Sequence, residues 1–96
     1  MKLCVTYTER FKKHFQKLSE IEKKQFKNKL AIFVENPNHP SLRVKRIQGT
    51  DDLFEFSVNM DIRVIWYYDG DTTVLYVDIG HHDILNSYLP IKYLMS

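Results

Sequence analysis

The chain has 96 residues, 44% of them hydrophobic and 14% aromatic, enough for one modest core and too few for two, so a single domain spanning residues 1–96 is expected. A lone cysteine, Cys4, makes no internal disulfide. The start Met1-Lys2-Leu3-Cys4-Val5 offers neither an apolar signal segment nor a run able to span a bilayer, which predicts a soluble cytoplasmic protein with no membrane partner. The net charge of +2 conceals a polarity. Residues 10–29 hold Arg10, Lys12, Lys13, Lys17, Lys23, Lys24, Lys27 and Lys29 against Glu20 and Glu22, and Arg43, Lys45 and Arg46 follow with no acid nearby. From Asp51 to Asp83, Arg63 is the only base among eight acids, so the charge suits a polyanion lying along one side of the molecule.

Leu3 to Tyr7 reads as a first strand, with Cys4 as a small buried hydrophobe beside Val5. Thr8 can cap a helix whose Phe11, Phe15 and Leu18 fall on one stripe. Ser19 and Glu22 have capping-box spacing ahead of a second stripe, Phe26, Leu30 and Phe33. The two helices form an antiparallel hairpin that ends at Asn36-Pro37-Asn38-His39-Pro40, where each proline lacks an amide donor.

Beyond the prolines the period changes from 3.6 to 2. Leu42–Gln48, Leu53–Val58, Ile62–Tyr68 and Thr72–Ile79 read as strands. Asp69-Gly70 signals a two-residue turn, which pairs Tyr68 with Asp71, Arg63 with Tyr76, Ile65 with Val74 and Asp61 with Asp78. In that register Ile62, Val64, Trp66, Leu75, Val77 and Ile79 face the helices, and Arg63, Tyr67, Tyr76 and Asp78 face away. The expected fold is α+β: an N-terminal strand and a helical hairpin packed on a mostly antiparallel twisted sheet of about four to five strands.

No phosphate-cradling glycine loop and no nucleophile elbow is present, and His39, His81, His82 and Asp83 lack the spacing of a zinc site, so neither metal nor cofactor is predicted. The element order, taken with "HPSLRVKRIQG" (His39 to Gly49), "LFEFSVNMDIRVIWYY" (Leu53 to Tyr68) and "DIGHHDIL" (Asp78 to Leu85), resembles the RelE/ParE superfamily of toxins from bacterial type II toxin–antitoxin modules, in its RelE-like branch. The resemblance implies a microbial-RNase-like fold, cleavage of messenger RNA on the ribosome, and inhibition by a cognate antitoxin encoded alongside. It also admits a ParE-like protein that blocks DNA gyrase without catalysis, or an inactive antitoxin-binding co-repressor.

Metal-independent RNA cleavage needs a base for the 2′-hydroxyl, cations for the phosphate and an acid for the leaving 5′-oxygen. Histidine suits either proton role, and the guanidinium fork suits phosphate. Arg63 matches the phosphate-stabilising arginine of the family's penultimate strand, and His82 the histidine two residues after the glycine that closes the last strand. For the remaining role Lys45, Arg43, Arg46, His81, Asp61 and Tyr88 are all candidates, and the sequence does not choose. Arg43, Lys45 and Arg46 lie where relatives hold the message backbone, and Tyr67 and Tyr76 are candidates for stacking on bases. The plain alternative for Arg63 is an ion pair across the hairpin with Asp61 or Asp78.

Overall fold

The computed structural model describes residues 2–88, so residues 1 and 89–96 of the expected domain lie outside the described part. The chain runs β1 (Cys4–Tyr7), α1 (Glu9–Gln16), α2 (Glu20–Glu35), a 3-10 turn (Pro40–Leu42), β2 (Lys45–Arg46), β3 (Phe54–Ser57), β4 (Ile62–Tyr68), β5 (Thr73–His81) and a C-terminal 3-10 helix (His82–Tyr88). Five strands form one sheet in the order β1-β5-β4-β3-β2, with β1 parallel to β5 and every other pair antiparallel. The α+β architecture agrees with the alternation of periods in the sequence. No helix among the described residues is long and apolar enough to cross a membrane.

Both helix starts follow from their caps. The Thr8 hydroxyl accepts from the Phe11 amide, and Ser19 and Glu22 close a reciprocal capping box. Phe11, Phe26 and Phe33 then meet Phe56, Trp66 and Tyr76 of the sheet in one aromatic core. The Tyr76 ring sits at its centre, with centroids 5.3 to 5.7 Å from those of Phe33, Phe56 and Phe11. Edge-on and tilted contacts of this kind add to the area that the rings bury.

The β4–β5 hairpin corrects the expected register. Its loop is Asp69–Thr72 rather than two residues: Tyr68 pairs with Val74, the Asp69 amide donates to the Thr73 carbonyl, and Gly70 supplies a φ of +150° that other residues rarely adopt. An offset of three residues is odd, so the start of β5 is turned over relative to expectation. Val74 and Tyr76 therefore enter the core, while Leu75 and Val77 are only half-buried. A bulge then adds Val77 between the pairs Trp66–Tyr76 and Ile65–Asp78, which flips the parity back and returns Ile79 to the core.

Two further expectations are corrected. The strand expected over Leu42–Gln48 contracts to Lys45–Arg46. The His39 ring accepts from the Ser41 amide, Pro40 opens the 3-10 turn, and Arg43 ends it in a left-handed conformation (φ 53°). Cys4 is exposed, because Leu3, Val5 and Tyr7 take the side of the edge strand that packs on the core.

Candidate active site

The helices cover one face of the sheet and leave Glu55, Ser57 and Arg63 on the other. Glu55 pairs with Ile65 and Ser57 with Arg63 in the β3–β4 register, so all four share the face opposite Phe56 and Val64. A cleft of about 360 Å³ opens there, lined by Arg43, Lys45, Glu55, Ser57, Arg63 and His82. Each element brings its residue for a local reason. Arg43 closes the 3-10 turn, whose Leu42 is anchored in the core; Lys45 comes from the edge strand β2; His82 opens the 3-10 helix that leaves β5. A left-handed non-glycine residue costs about 1–2 kcal/mol, so holding Arg43 in that conformation takes the surrounding packing.

Arg63 is held rather than free. Its Nε lies 3.6 Å from Glu55 Oε1, both side chains being 14% exposed, and its Nη1 donates to the carbonyls of Asn59 at 2.8 Å and Ile62 at 3.3 Å. Nη2 has no hydrogen-bond partner among the described residues. The ion pair weighed for Arg63 exists, but with Glu55 on the neighbouring strand instead of Asp61 or Asp78. Sequence reasoning did not single out Glu55. Its signal was the alternation Phe54-Glu55-Phe56, which puts the carboxylate on the same outward face as Arg63.

Of the other candidates, Arg43 and Lys45 join Arg63 and His82 in the cleft. Arg46 lines its continuation, a neighbouring hollow of about 430 Å³ that shares Lys45, Glu55 and His82 and extends to Gln48 and Asn86. His81 and Asp61 pair with each other, Nδ1 to Oδ2 2.7 Å, both exposed, and line neither hollow. The Tyr88 hydroxyl donates to Asp78 Oδ2 at 2.8 Å and accepts from Arg10 Nη1 at 3.4 Å, so it too is turned elsewhere. Burial pushes the Tyr88 phenol above its ordinary pKa, and the hydrogen bond from Arg10 opposes that rise. Tyr67 is half-buried outside the cleft. Tyr76 is a correction: at 0% exposure in the aromatic core it cannot stack on a base, and burial raises its pKa strongly. Asp78, expected on the open face, is buried at 3%.

The cleft thus gathers three cations, one carboxylate and one imidazole. Three cations favour an anionic ligand, and the carboxylate and imidazole can each accept or deliver a proton. No group of three or more metal-ligating side chains occurs among the described residues.

Solved structures share this architecture. The archaeal RelE of the RelE–RelB complex from Pyrococcus horikoshii superposes with a TM-score of 0.70 at 21% identity, over 84% of this chain and 96% of that one. A double mutant of the E. coli toxin RelE in the free state gives 0.71 at 21% identity over 92% of each chain. YafQ from E. coli gives 0.71 at 15% identity, covering 88% of this chain and 98% of that one. These likenesses define the fold class, a RelE-like α+β architecture. Residues 5–85 match the family model described as the ParE toxin of the type II toxin–antitoxin system parDE, and the chain belongs to that family, within the RelE/ParE superfamily. No curated protein matches the sequence significantly.

Proposed function

We propose that this toxin is an endoribonuclease that cuts messenger RNA on the ribosome by attack of a 2′-hydroxyl on the adjacent phosphate. One observation carries the reading: Arg43, Lys45, Arg63, Glu55 and His82 converge on a single cleft on the sheet face that the helices leave open. Arg63 offers an immobilised guanidinium to a phosphate oxygen, with Arg43 and Lys45 alongside for the charge that develops as a fifth oxygen joins phosphorus. Glu55 accepts the 2′-hydroxyl proton as the 2′-oxygen–phosphorus bond forms. His82 gives a proton to the 5′-oxygen as its bond to phosphorus breaks. The products are a 2′,3′-cyclic phosphate and a 5′-hydroxyl, and no co-reactant is needed. Arg46 holds the strand where the cleft continues.

The open cleft positions little of a flexible RNA by itself, so the ribosome supplies the orientation and the reaction takes place in the cytoplasm. The partner in the uncommitted state is an antitoxin encoded alongside, acidic enough to engage the lysine-rich helical hairpin; the RelE–RelB and DinJ–YafQ complexes of its structural neighbours support this. A second reading, a non-catalytic toxin that blocks DNA gyrase, draws support from the ParE family model. Purified toxin added to translating and to supercoiling reactions separates the two. Cleaved message with cyclic-phosphate ends, lost in Glu55→Ala and His82→Ala, is expected. Intact message with inhibited supercoiling would replace the first reading by the second.

A further inference from the structure

The one buried carboxylate among the described residues, and one that the proposed chemistry does not use, is Asp78. β1 ends opposite Tyr76, so from Val77 onward that flank of β5 is covered by Thr8 and α1: the Thr8 hydroxyl donates to the Val77 carbonyl at 2.6 Å. Here the bulge leaves Asp78 nearly sealed from solvent, with both carboxylate oxygens engaged. Oδ1 receives the Ile79 amide at 2.8 Å and His14 Nδ1 of α1 at 2.5 Å, and Oδ2 receives the Tyr88 hydroxyl. A buried carboxylate is tolerated because its lone pairs are satisfied, and each donor is thereby fixed.

Tyr88 is the last residue of the C-terminal 3-10 helix and His82 the first. A seven-residue 3-10 helix does not hold itself together and takes its order from what it packs on. This one is fastened at two points. Its far end is tied by Tyr88 to Asp78, and its middle rests on Gly80, where Ile84 Cγ2 comes so close that an added Cβ would meet it at 2.7 Å. The free end carries His82 into the charged cleft.

We infer that Asp78 is a positioning residue, which through Tyr88 clamps the C-terminal 3-10 helix against β5 and α1 and so fixes the His82 imidazole over the cleft. This inference rests on the nuclease reading for its effect on rate, but its structural content does not depend on catalysis. Loss of the clamp leaves His82 present and misplaced, which lowers turnover rather than binding.

The test uses full-length Tyr88→Phe, which removes one hydroxyl and keeps the ring, with Asp78→Asn as the second variant. In protein labelled with 13C at the histidine rings, the His82 signals of Tyr88→Phe should move toward random-coil positions and broaden, while those of His39 stay in place. Single-turnover cleavage on ribosomes should fall by up to roughly 10²-fold with ribosome affinity unchanged, the scale that a misplacement of about 1 Å of a reacting group costs. Unchanged His82 signals in folded Tyr88→Phe would overturn the clamp, as would moved signals with an undiminished cleavage rate. If the wild-type protein cuts no RNA, the nuclease reading fails and the ring signals alone decide.

Discussion

Arg63 and Glu55 face each other from neighbouring strands, with the guanidinium Nε 3.6 Å from the carboxylate and both side chains largely shielded from water. In the proposed reading, the pair lets a phosphate-binding cleft contain an anion of its own. Glu55 holds the arginine fork in place from one side, and the Asn59 carbonyl holds it from another.

The pair also changes what Arg63→Ala does to stability. On an exposed surface the substitution would cost no more than about 0.5 kcal/mol. Here it leaves a shielded carboxylate without its cation and the Asn59 carbonyl without its donor, so a loss of about 1–3 kcal/mol is expected. Urea denaturation measures it. The double variant Arg63→Ala/Glu55→Gln should be less destabilised than Arg63→Ala alone; additive losses would mean that the two side chains do not interact.

Catalysis should separate charge from geometry. His82→Ala and Arg63→Ala are each expected to lower single-turnover cleavage by roughly 10²-fold or more, the scale of a lost proton-transfer group or preorganised charge. Arg63→Lys keeps the charge, but the compact ammonium cannot both satisfy the Asn59 carbonyl and reach a phosphate oxygen, so little rescue is expected. Recovery of most of the wild-type rate by lysine would reduce the role of Arg63 to its charge.

The contact between Gly80 and Ile84 gives a packing test. A methyl at position 80 would overlap Ile84 Cγ2, which sits on the branched Cβ and cannot swing away as a chain end does. Gly80→Ala should therefore cost about 1–3 kcal/mol, as overpacking does. In an Ile84→Ala background the obstructing methyl is gone and the added cost should shrink toward zero. A cost independent of residue 84 would place the strain in the backbone of β5 instead.

What the sequence made legible follows from how local its causes are. Thr8, Ser19 and Glu22 act within four residues of themselves, and both helix starts were readable from spacing alone. Arg63 faced outward as its parity with Ile62, Val64 and Trp66 required. The register of β5 was hidden because a four-residue loop and a two-residue turn share the same Asp-Gly signature, and the bulge at Val77 has no residue type of its own. Both errors fell on Tyr76 and Asp78, whose surroundings are made by α1, α2 and the C-terminal helix, far away in sequence. Glu55 was missed for a different reason. Its outward parity was visible, but the pairing of β3 with β4 that brings it to Arg63 is not encoded next to it.

Tyr76 supplies the last prediction, because its environment sets the alkaline limit of the fold. Its hydroxyl has no hydrogen-bond partner among the described residues, and burial raises the pKa of its phenol above the ordinary 10.0; Tyr7 and Tyr88 are raised by burial as well. In the unfolded chain each phenol loses its proton near pH 10, while in the folded protein it keeps it to higher pH. The unfolded state then binds fewer protons than the folded one, so the contribution of these phenols to stability is constant below about pH 10 and falls above it, by as much as about 1.4 kcal/mol per pH unit for each phenol. Tyr76→Phe removes both the unpaired hydroxyl and this titration. It should raise stability at pH 7 by about 1 kcal/mol, since a buried donor without a partner is worse than none, and it should make the decline above pH 10 less steep. Cleavage should be unchanged, because the ring never reaches the cleft. Urea midpoints from pH 7 to 11 for both proteins check the claim; an unaltered alkaline slope would show that Tyr76 does not govern it, and a loss of stability at pH 7 would show that its hydroxyl has a partner after all.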